Sequence, residues 1–66
     1  MATVGENIRR YRKAQNLSAA KLAEKVGLIE STILHYERGI RTPGKSQLEK
    51  IAHALNVSPR MLEDTG

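Results

Sequence analysis

The sequence contains no cysteine, no tryptophan and no phenylalanine, and it has only two tyrosines and two prolines among 66 residues. Without cysteine there is no disulfide bond and no cysteine-ligated zinc finger. No apolar run approaches membrane-spanning length, and the charged N-terminus lacks the apolar stretch of a signal peptide. Alternating β-branched runs, the mark of strands, are also missing. These absences predict a cytoplasmic, all-α protein with a single domain, residues 1–66.

The charge balance is basic, with 11 Lys and Arg residues against 7 Asp and Glu residues and a net charge of +4. An excess of positive charge in so short a chain suits a polyanionic partner. It is also compatible with a merely solvated surface, and Arg9, Arg10 and Lys13 on the outer face of the first helix could be of that kind. A core of this size is modest, so dimerisation could add stability.

Apolar residues recur at helical spacing in five segments. The first predicted helix covers about residues 4–15, the second runs from an N-cap at Ser18 to about Val26, and the third covers about residues 29–38. A loop, residues 39–44, follows. The fourth helix begins either at Gly44 or at Ser46, which with Glu49 would form a capping box, and a short fifth helix opens after Ser58-Pro59.

Residues 19–38 have the spacing of a helix-turn-helix. Ala23 is small where two steeply crossed helices would touch, and Gly27 can adopt the left-handed conformation that ends a helix. Ile33, six residues later, returns an apolar side chain to the core. An ordinary αα-hairpin shares this spacing, but the apolar-striped segments before and after the motif favour the helix-turn-helix.

The third helix carries the predicted base-reading side chains on the side away from Ile33. They are Glu30, Ser31, Thr32, Leu34 and His35. A serine hydroxyl can donate or accept, a histidine can donate to purine N7 or guanine O6, and a glutamate can accept from cytosine N4. Leu34 could cover a thymine methyl group. A solvent-exposed His35 without a partner is the alternative for that residue.

A second set of residues is predicted to contact DNA phosphates, which position a protein on the duplex without reading its sequence. Most of these residues flank the end of the third helix. The set is Ser18, Arg38, Arg41, Thr42 and Lys45.

Two ionisable residues fall on inward-facing positions. Arg12 lies four residues after Ile8, and Glu37 lies four after Ile33. Either would be costly to bury alone, so the sequence predicts a structural ion pair that joins the first helix to the third.

The chain resembles the lambda-repressor-like helix-turn-helix family, the Cro/repressor or XRE group, from about Gly5 to Leu62. The segments that carry the resemblance are IRRYRKAQNLS, KLAEKVGL, STI, YERG, TP and LEKIAHALNVS. The resemblance implies a compact five-helix fold in which the third helix is the recognition helix and the Arg12 to Glu37 pair is a recurrent salt bridge. It also implies a bacterial or phage regulator that binds operators as a dimer, often through the region of residues 57–63.

The sequence departs from this family at several positions. Ala19 stands where glutamine usually reaches a phosphate, and Ile29 stands where serine or threonine usually caps the recognition helix. Glu30 replaces the arginine or glutamine of many members, and Leu34 is an unusual apolar residue on a face expected to be exposed.

Two functions are therefore considered. The first is a sequence-specific regulator, a repressor, that reads a palindrome as a homodimer with half-sites roughly 34 Å apart. The second is a protein-interaction module, of antitoxin or coactivator type, in which Leu34 and Ile29 form part of a partner surface. An enzyme is not expected, because His35, His53, Glu37 and Asp64 lack metal-ligand spacing and no glycine-rich phosphate loop occurs. No metal, cofactor, membrane or small-molecule substrate is predicted.

Overall fold

Residues 2–63 are described by a computed structural model, and within this range the chain forms five helices and no strand. The helices are α1 (Val4–Ala14), α2 (Ala19–Val26), α3 (Glu30–Glu37), α4 (Lys45–Ala54) and α5 (Pro59–Leu62). The predicted all-α fold is confirmed, and each boundary for which a place was predicted lies within one or two residues of it. Among these five helices, none has the length and apolarity needed to span a membrane.

The first two helices begin with side-chain caps. Ser18 has the predicted role, since its Oγ accepts a hydrogen bond of 3.0 Å from the backbone N–H of Lys21. At α1 the cap is Thr3, whose Oγ1 accepts from the N–H of Glu6 at 3.1 Å while Glu6 Oε1 accepts from the N–H of Thr3 at 2.9 Å. This capping box was not predicted, although the spacing of Thr3 and Glu6 is its usual sequence signature.

The remaining helices begin without a side-chain cap. Ile29 is the N-cap of α3, and its apolar side chain makes no capping bond. The N-cap of α4 is Gly44, so the alternative start at Ser46 with a capping box is wrong, because the helix has already begun at Lys45. Ser58 precedes α5 as predicted, but its side chain makes no capping bond either.

Glycines end the two helices of the helix-turn-helix as predicted. Gly27 has φ 73° and Gly39 has φ 76°, both in the left-handed region that a Cβ disfavours. Leu28 follows the first of these and donates its N–H to the carbonyl of Ala23 at 2.8 Å, which closes the turn between α2 and α3.

All five helices contribute to one hydrophobic core. Its fully buried large side chains are Ile8, Leu22, Ile33, Ile51, Leu55 and Leu62. Ala23 is also buried, which confirms that α2 has a small residue on its packed face. The core therefore lies behind α2 and α3 and leaves their opposite faces to solvent.

Two further contacts of α1 complete the packing, one through its backbone and one through a polar side chain. Neither was predicted. Gly5 lies against the backbone of α3, where a Cβ would stand 2.8 Å from the carbonyl oxygen of Glu37 and closer still to that of Tyr36. Asn7 is buried, and its Nδ2 donates to the carbonyls of Leu62 at 3.2 Å and Glu63 at 2.9 Å. These contacts hold α1 against α3 and the end of α5.

Candidate nucleic-acid interface

The face of α3 opposite the core has its exposed side chains at the N-terminal end. Glu30 and Ser31 are exposed, whereas Thr32 and His35 are half-buried. Ile33 and Tyr36 are buried behind them, which confirms the inward direction assigned to Ile33. The predicted base-reading residues thus lie on one helix whose opposite side is fixed in the core.

Leu34 is placed differently from its prediction. It is half-buried, as Thr32 and His35 are, and it packs partly against the core, so it is less exposed than predicted; its contact with a thymine methyl group stays a prediction. The exposed large apolar residues among those described are Ile29, Ile40 and Met61, with 67%, 65% and 44% of their surface accessible. Leu34 lines a concavity between α1 and α3.

The five residues predicted to contact phosphates are all exposed. The structure brings three of them together, because Arg38, Arg41 and Thr42 line one concavity between the loop after α3 and the N-terminal turn of α1. This loop is held to α3 by the carbonyl of His35, which accepts from the N–H groups of Ile40 at 2.9 Å and Arg41 at 3.3 Å. We call the surface formed by Arg38, Arg41 and Thr42 the loop concavity.

The other two phosphate-contact residues stand at helix N-termini outside the loop concavity. Ser18 precedes α2, and Lys45 is the first residue of α4. At both places the first N–H groups of a helix have no intrahelical acceptor, which favours an anion nearby.

The predicted ion pair between Arg12 and Glu37 is confirmed. Arg12 Nε donates to Glu37 Oε2 at 2.6 Å and Nη2 donates to Oε1 at 2.9 Å, with side-chain exposures of 10% and 4%. Nη1 donates to the carbonyl of Leu17 at 2.9 Å. The hydrogen bond to Glu37 raises the pKa of the Arg12 guanidinium above its ordinary value, with burial acting in the opposite direction. The pair therefore fixes the end of α3 to α1 and to the connection before α2.

The residues considered for metal binding do not come together. Within residues 2–63, no group of three or more His, Asp or Glu side chains is close enough to hold a metal ion. Asp64 lies outside the described residues.

The matched family model is described as helix-turn-helix and covers residues 8–62 of the chain. The chain is similar to an uncharacterised helix-turn-helix regulator, y4wC, of Sinorhizobium fredii, with 38% identity over 97% of this chain and 46% of the relative. It is also similar to the regulator SinR of Bacillus subtilis, with 39% identity over 92% of this chain and 56% of the relative. The chain thus spans about half the length of these curated relatives.

Solved structures have the same architecture. The P22 c2 repressor in complex with a synthetic operator superposes with a TM-score of 0.92 at 30% identity, over 100% of both chains. SinR in complex with DNA superposes with a TM-score of 0.87 at 38% identity, over 94% of this chain and 100% of that one. Both of these structures are complexes, one with a synthetic operator and one with DNA.

Proposed function

The chain belongs to the lambda-repressor-like (XRE) helix-turn-helix family of transcriptional regulators, and from this membership we propose that it binds duplex DNA sequence-specifically and represses transcription. In this proposal α3 enters the major groove, and bound protein excludes polymerase from a promoter by occupying it. The protein would act in the cytoplasm, on the nucleoid, because its operator is there.

The observation that carries the proposal is that one side of α3 is held in the core while the opposite side is exposed at its N-terminal end. Ile33 is fully buried and Glu37 is held by Arg12, so the helix has a defined orientation. Glu30 and Ser31 are free to meet base edges at its N-terminal end. A recognition helix needs this combination, because base-edge hydrogen bonds require donors and acceptors in set positions.

Basic residues at the other end of α3 support the same proposal. Arg38 and Arg41 in the loop concavity and Lys45 at the start of α4 are exposed. They would bind backbone phosphates on one side of the groove, with Ser18 at the N-terminus of α2 on the other side. His35 and Thr32, half-buried on α3, would read bases beside Ser31.

We further propose a homodimer that reads a palindromic operator, with half-sites roughly 34 Å apart. The surface proposed for the dimer is the region of residues 57–63, which includes α5. Met61 on this helix is exposed over 44% of its surface, and the helix is held in place by the two hydrogen bonds from Asn7.

The alternative of a protein-interaction module has less support. The surface predicted for this function includes Leu34 and Ile29, but Leu34 packs against the core. Ile29 is exposed over 67% of its surface, but a single exposed apolar side chain is ordinary for a monomeric protein. Nor do we propose catalysis, since no arrangement of side chains described above suggests a reaction.

Selection of binding sites from random duplex DNA tests the proposal directly. We expect an enriched palindrome, bound by two protomers with a steep dependence on salt. Against this site, His35→Ala should mainly relax base preference, whereas Arg38→Ala should weaken binding to all sequences and reduce the salt dependence. Absence of any enriched sequence, with only weak binding that salt abolishes, would contradict sequence-specific regulation.

A further inference from the structure

A second concavity lies between α1 and α3. Its volume is about 240 Å³, and we call it the α1 concavity. It is lined by Arg9, Arg12, Lys13, Leu34, Glu37 and Arg38. Four of these six residues are cationic, and one is anionic. The floor includes Leu34, which packs against the core, and the buried pair of Arg12 and Glu37.

The positive charge of the α1 concavity is not balanced within the described chain. Glu37 is engaged by Arg12 through two hydrogen bonds, so that pair is neutral as a unit. The other ion pair within residues 2–63 joins Lys21 to Glu24, elsewhere on the surface. Among residues 2–63, Arg9, Lys13 and Arg38 therefore form a cluster of three cations with no carboxylate at ion-pair distance. Like charges that lie close together repel each other, and a bound anion or counterions from solution offset this repulsion.

The α1 concavity is continuous with the proposed phosphate-binding surface. Arg38 lines both it and the loop concavity, so the two share a wall. Arg9 and Lys13 are four residues apart on α1 and therefore stand on the same side of the helix. They extend the basic surface of Arg38 and Arg41 onto α1. A solvated helix face would explain two exposed cations, but it does not explain why they converge with a third from α3.

We propose that Arg9, Lys13 and Arg38 bind adjacent backbone phosphates of the duplex, so that the DNA interface extends beyond the helix-turn-helix onto α1. An arginine supplies a planar fork that fits two phosphate oxygens, and a lysine supplies a compact charge. The contact is independent of base sequence and sets the position of α1 against the backbone. This inference rests on the proposed function, because it names a further contact made to the same DNA.

The test is the slope of log affinity against log salt concentration, measured for the full chain on the selected operator and on a random duplex. Each phosphate contact contributes about 0.9 to the slope on duplex DNA. We expect Arg9→Ala and Lys13→Ala each to reduce the magnitude of the slope by about 0.9 on both duplexes. If a variant and the wild type bind equally at 1 M salt, this difference in slope makes the affinity of the variant about eightfold lower at 0.1 M salt, since 10 to the power 0.9 is about eight.

Arg10→Ala is the matched control. Arg10 is exposed on the same helix and carries the same charge, but it lies over the ring of Tyr11, 5.8 Å from the centroid, and does not line the α1 concavity. It should leave the slope unchanged. Because Arg9, Arg10 and Lys13 are all exposed, the three variants should fold, which a thermal melt of each would check.

The outcomes separate this inference from the function on which it rests. If Arg41→Ala lowers the slope while Arg9→Ala and Lys13→Ala behave like Arg10→Ala, DNA binding stands and the α1 contact is refuted. Equal losses for all three α1 variants would also refute it, because net charge alone would then explain the effect. A wild-type chain that does not bind either duplex would overturn both proposals.

Discussion

Gly5 lies where α1 crosses α3, and its lack of a side chain allows the two backbones to approach. The Arg12 to Glu37 pair joins the same two helices by a different means, with two charge-assisted hydrogen bonds. Gly5 acts through the absence of a side chain, and Arg12 and Glu37 act through the attraction of opposite charges. Both devices determine where α3 stands, and hence where its exposed side chains point.

Replacing Gly5 by alanine should destabilise the protein strongly. The new Cβ would meet the carbonyl oxygens of Tyr36 and Glu37, and backbone atoms in a packed helix cannot move aside cheaply. We expect a loss of about 1–3 kcal/mol in the free energy of unfolding, measured with urea. Gly44→Ala is the control, because no atom lies within 4 Å of its Cβ and its φ of −69° suits alanine. Similar unfolding midpoints for the two variants would contradict close packing at Gly5.

Replacing Glu37 by glutamine should leave the buried guanidinium of Arg12 without its counter-charge. Removing one partner of a buried pair typically costs about 3–5 kcal/mol, so the variant should unfold at a much lower urea concentration. Glu24→Gln provides the comparison, since its pair with Lys21 is 66% to 76% exposed at 3.6 Å and should contribute less than about 1 kcal/mol. Unchanged stability of the Glu37 variant would show that the pair has no structural role.

Among the elements, α3 is the helix of the helix-turn-helix that begins without a side-chain cap. Ile29 has the extended conformation of an N-cap, with φ −103° and ψ 158°, but its side chain has no oxygen to accept from the first N–H groups of the helix. The N–H of Thr32 donates instead to the backbone carbonyl of Ile29 at 3.1 Å. The neighbouring helix α2 has Ser18 in the equivalent position and makes the bond. The position of α3 therefore depends on its packing through Ile33 and Tyr36 more than on its own termini.

Substituting Ile29 by threonine should stabilise α3. A threonine hydroxyl at an N-cap accepts from the N–H at the third helical position, here Thr32, and such caps contribute about 1 kcal/mol. In a domain of this size the melting temperature should rise by about 4–8 °C. Ile29→Val keeps the branched shape without the hydroxyl and should change the melting temperature little. If valine raised it as much as threonine, capping would not be the cause.

At the scale of the whole molecule, the basic residues of the two concavities other than Arg12 are exposed, and so is Met61 of α5. The core is small, and a second copy bound through α5 would add buried apolar area to a domain of modest stability. If the protein dimerises, the monomer and dimer exchange by mass action, and the folded state is favoured at higher concentration.

We therefore expect the melting temperature to rise with protein concentration and the sedimentation coefficient to increase toward that of a dimer. Met61→Lys should abolish both effects, because a charge would be desolvated at the proposed interface. Ile40→Lys introduces the same charge at another exposed apolar residue, in the loop after α3, and should retain them. Dimerisation that persists in the Met61 variant would place the interface elsewhere.

Most of the local structure could be predicted because it depends on short-range patterns. The positions of Ser18, Gly27 and Ile33 follow from helix capping, the left-handed conformation of glycine and apolar periodicity. The ion pair was also predictable, since a charge on an inward face is costly to bury unless it has a partner of opposite charge. The start of α4 was left open, because Gly44 and Ser46 both satisfy capping rules and packing of the loop selects between them.

By itself, then, the sequence determined five helical segments, where the first three end, which faces are apolar, and that α3 has polar residues opposite Ile33. Only the tertiary structure decided that Gly5 touches the backbone of α3, that Asn7 binds the end of α5, and that Leu34 packs inward. It also decided that Arg9 and Lys13 converge with Arg38. The physical reason is that capping and periodicity act within a few residues, whereas these contacts join residues about 20 to 56 positions apart, whose distance depends on how the helices cross.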